Sequence, residues 1–172
     1  MRSNPDGRFW MAGLMGCGKS TVGRILAQHL GCRYIDNDAT IADLAGQSTV
    51  ELATAGGNLL HEWESRYVRH VAAMPAPLVA GIPASAADRT ADVELLARTG
   101  CLVYLRCDLG TLVRRVLEDG PRPWLDSRPE HLIGRMLEAR APVLSAAAGL
   151  ITDATAPPAK VAARILSACG DS

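Results

Sequence analysis

Eight residues near the start of the chain, Gly13-Leu14-Met15-Gly16-Cys17-Gly18-Lys19-Ser20, restrict the fold more than any other stretch. They match G-x-x-x-x-G-K-[ST] in full. The flanks agree: residues 8–12 read as a strand, and residues 19–30 as a helix with Val22, Ile25, Leu26 and Leu30 on one stripe and Gly31 as its stop. Glycine lets successive amides turn inward without a Cβ clash, so the backbone of Gly16, Cys17 and Gly18 forms a nest of N–H donors for phosphate oxygens. The start of the following helix adds its positive end. Lys19 supplies a mobile charge for β- and γ-phosphates, Ser20 a hydroxyl for Mg²⁺, and Thr21 a hydroxyl near an α-phosphate. A chance glycine-rich turn would not bring strand and helix into place on either side.

Downstream, strand-like runs keep alternating with helix-like stretches. Residues 32–36, 78–80, 101–105 and 150–151 read as strands, and helices are expected over 39–45, 59–74, 92–98, 109–117, 131–144 and 161–168. Ser48 with Glu51 three residues on has capping-box spacing for one more helix. This rhythm predicts an α/β fold of three layers, a parallel sheet of about five strands with helices on both faces. Residues 118–129 break it with prolines, a glycine and charges, as an irregular segment. The reading is one domain over 1–172.

With 172 residues, the chain suffices for one core. Its single Phe leaves that core to Leu, Val, Ile and Ala. Zero formal net charge argues against a nucleic-acid partner, which usually demands a basic excess. The longest apolar runs are strand-length, too short to span a bilayer, and the first eight residues hold no signal-peptide core. A cytoplasmic monomer is expected. Five scattered cysteines without a CxxC pair read as reduced thiols packed as small hydrophobes, and no zinc-ligand spacing occurs.

Among phosphate-loop proteins the chain is too short for most motors, and it lacks a guanine-reading Asn/Thr-Lys-x-Asp segment. Tyr34-Ile35-Asp36-Asn37-Asp38 then places two carboxylates at the carboxyl end of the second strand, where ligands collect in open α/β sheets. On an extended end both point the same way, one toward a metal-bound water and the other toward an acceptor hydroxyl. The plainer alternative is a solvated turn with Asp38 as a helix cap.

With these features in order the chain resembles the shikimate kinase family, from about Phe9 to Leu166. The phosphate loop, the D-x-D pair, a glycine-bearing turn after a central strand, Arg122-Pro123-Trp124-Leu125 and Arg140-Ala141-Pro142 follow the family's sequence of motifs. Gly46-Gln47-Ser48, Gly56 and Glu64 also fall in register. The resemblance implies a single P-loop kinase domain over 1–172 with a lid at about 118–130 and substrate-binding helices at about 39–74, ATP as co-substrate, Mg²⁺ as cofactor, and transfer of the γ-phosphate to a hydroxyl of a small metabolite. It assigns Asp38 to the acceptor hydroxyl, Asp36 and Ser20 to the metal, Arg122 to the transferring phosphate, Arg115 to the adenine and Arg140 to a substrate carboxylate. Such a set suits phosphoryl transfer, which depends on positioning and on positive charge around the equatorial oxygens.

The acceptor half departs from the pattern. His61 stands where the family places a carboxylate-binding arginine, and the triple-glycine turn reads Gly81-Ile82-Pro83, with a branched side chain and a lost N–H donor. Gly57 replaces a glutamate. One charge-assisted bond to a carboxylate is worth about 1.5–3 kcal/mol, and histidine supplies it only when protonated. The site predicted on the acceptor side is Asp38, His61, Gly81, Ile82 and Arg140. Three readings stay open: a kinase for shikimate, a kinase for another cyclitol or sugar acid, and a nucleotide-binding protein without transferase activity.

Overall fold

A computed structural model describes residues 7–119 and 128–170. Its strands are β1 (Arg8–Ala12), β2 (Arg33–Ile35), β3 (Leu78–Gly81), β4 (Cys101–Arg106) and β5 (Leu150–Asp153). They form one parallel sheet in the order β2-β3-β1-β4-β5, with Trp10 opposite both Ala80 and Leu102. The helices are α1 (Lys19–His29), α2 (Asn37–Ala45), α3 (Thr49–Ala55), α4 (Gly57–Ala73), α5 (Thr90–Thr99), α6 (Leu109–Glu118), α7 (Pro129–Ala147) and α8 (Pro158–Gly170).

Side chains alternate across the sheet, as the two-residue period of a strand requires, and so feed two cores. Phe9, Met11, Val79, Val103 and Leu105 face α1, α6 and α8, where they meet Val22, Leu26, Leu112, Val116, Val161 and Ile165. Trp10, Ala12, Leu78, Ala80, Leu102 and Tyr104 face the other way, onto Ile41, Leu52, Tyr67, Val71 and Leu96 of α2 to α5. Helix α7 joins both, with Ile133 in the first core and Leu144 in the second. Burying each large aliphatic side chain contributes about 1.5–3 kcal/mol. Two polar atoms of the second core find carbonyl partners: Trp10 Nε1 donates to the Leu96 carbonyl at 3.0 Å and the Tyr67 hydroxyl to that of Gly81 at 2.7 Å. The three-layer α/β fold read from the alternation is the one observed.

Element ends moved where local hydrogen bonding decided them. The helix expected from residue 39 starts at Asn37, because the Asp36 carboxylate accepts the amides of Asp38 and Ala39. Asp36 is therefore the cap, and Asp38 lies inside the first turn of α2, not on an extended strand end. Proline at position 142 does not stop α7, which starts with Pro129 in its first turn. A short 3₁₀ helix, Ala84–Asp88, follows β3 and had no periodic signature. The expected capping box is present, with the Glu51 amide bonded to Ser48 Oγ and the Ser48 amide to Glu51 Oε2.

Candidate active site

The strand order reverses beside β1, and the loop leaving the carboxyl end of β1 opens into a cavity of about 740 Å³. One end is walled by Gly16, Gly18, Lys19, Ser20, Thr21, Arg115 and Pro158, the other by Asp38, Thr49, Leu60, His61, Glu64, Pro83, Ser85 and Arg140. This brings the phosphate loop and most of the acceptor-side residues into one space.

At the first end the backbone is already shaped. Gly16 holds φ +77°, and a Cβ there would come within 3.0 Å of the Leu112 carbonyl oxygen, so no other residue fits without displacing α6. Helix α1 starts after Gly18 with no side-chain cap and no acidic residue in its first turn, which leaves its leading amides for an anion. Lys19 Nζ rests on the carbonyls of Gly13 and Leu14 at 2.8 and 3.1 Å. The Cys17 amide bonds the Leu14 carbonyl at 3.2 Å, and its thiol is buried in the core below the loop. Cys17 thus serves the loop's shape, and its side chain does not reach the cavity wall.

Arg115 acts as a brace. Its guanidinium donates to the carbonyls of Gly16 (3.4 Å), Ala154 (3.0 Å) and Thr155 (3.4 Å), linking the phosphate loop to the β5–α8 connection while still lining the cavity. Ser20 Oγ donates to Asp36 Oδ2 at 3.3 Å, and the same oxygen accepts from Arg24 at 3.2 Å. A hydroxyl and a carboxylate side by side, beside a phosphate site, form an all-oxygen pair of the type that suits Mg²⁺, which keeps most of its shell for water and phosphate. Among the described residues there is no cluster of three or more His, Cys, Asp or Glu that would form a dedicated metal cage.

At the other end, Asp38 lines the cavity and accepts from Asn37 Nδ2 at 2.9 Å through Oδ1. His61 Nδ1 lies 2.7 Å from Glu64 Oε2, and because a carboxylate has no proton to give, Nδ1–H is the donor. Ser85 Oγ donates to the same Glu64 oxygen at 2.5 Å, so Glu64 ties α4 to the segment after β3. Arg140, 8% exposed, forms a two-pronged pair with Asp88: Nε to Oδ1 at 2.9 Å and Nη2 to Oδ2 at 2.6 Å.

Two acceptor-side expectations are corrected here. Ile82 is fully buried in the second core with its amide bonded to the Met11 carbonyl at 2.9 Å, and it does not line the cavity. Gly81 is also buried, and a Cβ on it would stand 2.7 Å from the Tyr34 hydroxyl and 3.1 Å from Asn37 Oδ1. Its lack of a side chain serves packing against Tyr34, whose hydroxyl burial pushes up to about 12 and keeps protonated. The wall is made by Pro83, Ala84 and Ser85 instead. Arg122, assigned to both nucleotide and transferring phosphate, lies outside the described residues, as does most of the lid segment. Sequence reasoning left Ser85 and Asp88 out of the site, and no motif or period marked them; Glu64 had its register alone.

The sequence model of the shikimate kinase family matches residues 15–170. The shikimate kinase of Ruegeria pomeroyi is 36% identical over 140 residues, covering 80% of this chain and 71% of the relative. Shikimate kinase 2 of Yersinia enterocolitica is 31% identical over 176 residues and covers 95% of both. A solved structure of the Acinetobacter baumannii shikimate kinase in complex with shikimate superposes with a TM-score of 0.90 at 25% identity, covering 98% of this chain and 95% of that one. The loop, the D-x-D turn and the wall of α3, α4 and α7 lie in one matched region, and the chain belongs to the shikimate kinase family, phosphotransferases whose acceptor is an alcohol group.

Proposed function

We propose that this chain uses Mg·ATP to phosphorylate a ring hydroxyl of shikimate or of a shikimate-like polyol. The observation that carries the reading is the shared cavity, in which Asp38 faces the same space as Lys19 and Ser20. The amides of residues 16–21 hold the ATP phosphates, and Lys19 leaves the Gly13 and Leu14 carbonyls for the phosphate oxygens when nucleotide arrives. The Asp38 carboxylate, steadied by Asn37, is the group that orients the acceptor hydroxyl and takes its proton. Ser20 and Asp36 would hold Mg²⁺, which when bound neutralises charge on the phosphate oxygens. Arg115 positions the nucleotide end by fixing the loop against α6, and Arg122 completes the charge from the lid.

The test is acceptor-dependent ADP release from Mg·ATP over a panel of cyclic polyols, shikimate included. The expected result is stimulation by a polyol that Asp38→Asn lowers by at least about a hundredfold, with ATP affinity unchanged within threefold. ATP binding without stimulation by any polyol would overturn it.

A further inference from the structure

Resting on that reading of the site, we infer that the acceptor is a polyol without a carboxylate. The argument begins with Arg140, the one Lys or Arg among the described residues that line the acceptor end. Its charge is already met. Both oxygens of Asp88 engage its fork at 2.9 and 2.6 Å, and the residue is buried. A substrate carboxylate would have to evict Asp88 or share a neutralised guanidinium through its remaining N–H groups.

Among the described residues, the position where the family places a second cation holds His61, which is engaged as well. His61 spends Nδ1–H on Glu64, leaving Nε2 as its other polar atom. In the neutral ring that atom is a lone-pair acceptor, suited to a hydroxyl donor and unsuited to a carboxylate. Asp38 and Glu64 line the cavity as carboxylates, and Asp88 pairs with Arg140. Among the described residues lining this end, Asp38 and Glu64 outnumber Arg140, so an anionic ligand meets like charge there.

One segment produces the arrangement. Pro83 leads into the 3₁₀ helix Ala84–Asp88, which sends Ser85 to Glu64 and Asp88 to Arg140. The departure at Gly81-Ile82-Pro83 and the departure at His61 thus converge on the same result, an acceptor end that offers hydrogen-bond acceptors in place of a cationic clamp.

The experiment compares shikimate with its primary amide, which keeps the ring and hydroxyls and loses the charge, and adds myo-inositol and quinate. ADP release gives kcat/KM for each probe with the wild type and with Asp88→Asn. The amide, or the uncharged inositol, is expected to be used at least as well as the matching acid. Asp88→Asn frees Arg140 and should shift the shikimate-to-amide ratio toward shikimate about tenfold, the range of one charge-assisted bond. A merely structural role for Asp88 would lower both probes together and leave the ratio unmoved.

A wild type that prefers either acid over its uncharged counterpart overturns the inference, as does a ratio that moves less than threefold in Asp88→Asn. Should the variant fail to fold, the wild-type ratio alone decides. No turnover of any probe by a protein that binds Mg·ATP sinks the phosphotransfer reading and this inference with it, an outcome distinct from a preference for the acid.

Discussion

The two ends of the cavity are built from different materials. At the nucleotide end the geometry is main chain: a glycine-shaped turn, the uncapped start of α1, and carbonyls that hold Lys19 and Arg115. At the acceptor end it is side chain on side chain, Ser85 to Glu64 to His61 and Asp88 to Arg140. Backbone geometry tolerates few sequences, so that end stays close to a recognisable motif. Side-chain pairs can be exchanged two at a time, so the other end can change its ligand while the fold persists. The contrast separates nucleotide holding at the first end from the choice of acceptor at the second.

The largest effect that checks this division is expected for Lys19→Met. Loss of the mobile charge on the transferring phosphate should lower kcat by about a thousandfold, measured as ADP release, with the thermal midpoint little changed, because Nζ bonds only loop carbonyls. A drop of tenfold or less would place the phosphate charge elsewhere and break the comparison at its stronger end.

Next comes Arg115→Met, which removes three donors from carbonyls of the phosphate loop and the β5–α8 connection. The expected outcome is a rise of about tenfold in KM for ATP, the range for one or two hydrogen bonds to a charged group, with KM for the acceptor unchanged. Equal rises for both substrates would show that the ends are not separable, since Arg115 touches nothing from α3, α4 or the 3₁₀ helix among its bonded partners.

How far the sequence carried the fold follows the same line. The strands and both cores were legible because alternation in β1, β3 and β4 sends Phe9, Met11, Val79 and Val103 one way and Trp10, Ala80 and Leu102 the other. The phosphate loop was legible because its glycines answer to backbone shape. The D-x-D turn was half legible: it does follow β2, but the cap fell to Asp36, since competition between two carboxylates for the same amides is settled by where the strand ends. The acceptor wall was poorly legible. Ser85 meets Glu64 across 21 positions and Asp88 meets Arg140 across 52, and neither separation leaves a periodic trace. Ile82 misled for the opposite reason, its place in a turn motif hiding a side chain that the β3 register buries.

The smallest expected effect sharpens the comparison most. From sequence alone, His61→Arg restores a carboxylate clamp. The geometry argues otherwise, because the new guanidinium would stand one helical turn from Glu64, whose oxygen already lies 2.7 Å from the His61 ring. An i,i+3 pair on α4 would share that charge with Glu64, while Arg140 stays paired with Asp88. The change should therefore lower KM for shikimate by less than about threefold, well short of the shift expected when Asp88→Asn releases Arg140. Steady-state kinetics of the two variants side by side decides the order. If His61→Arg gives the larger gain, charge at the acceptor end is set by α4 and not by the segment after β3. If Asp88→Asn does, the 3₁₀ helix is where this member of the family sets what it accepts.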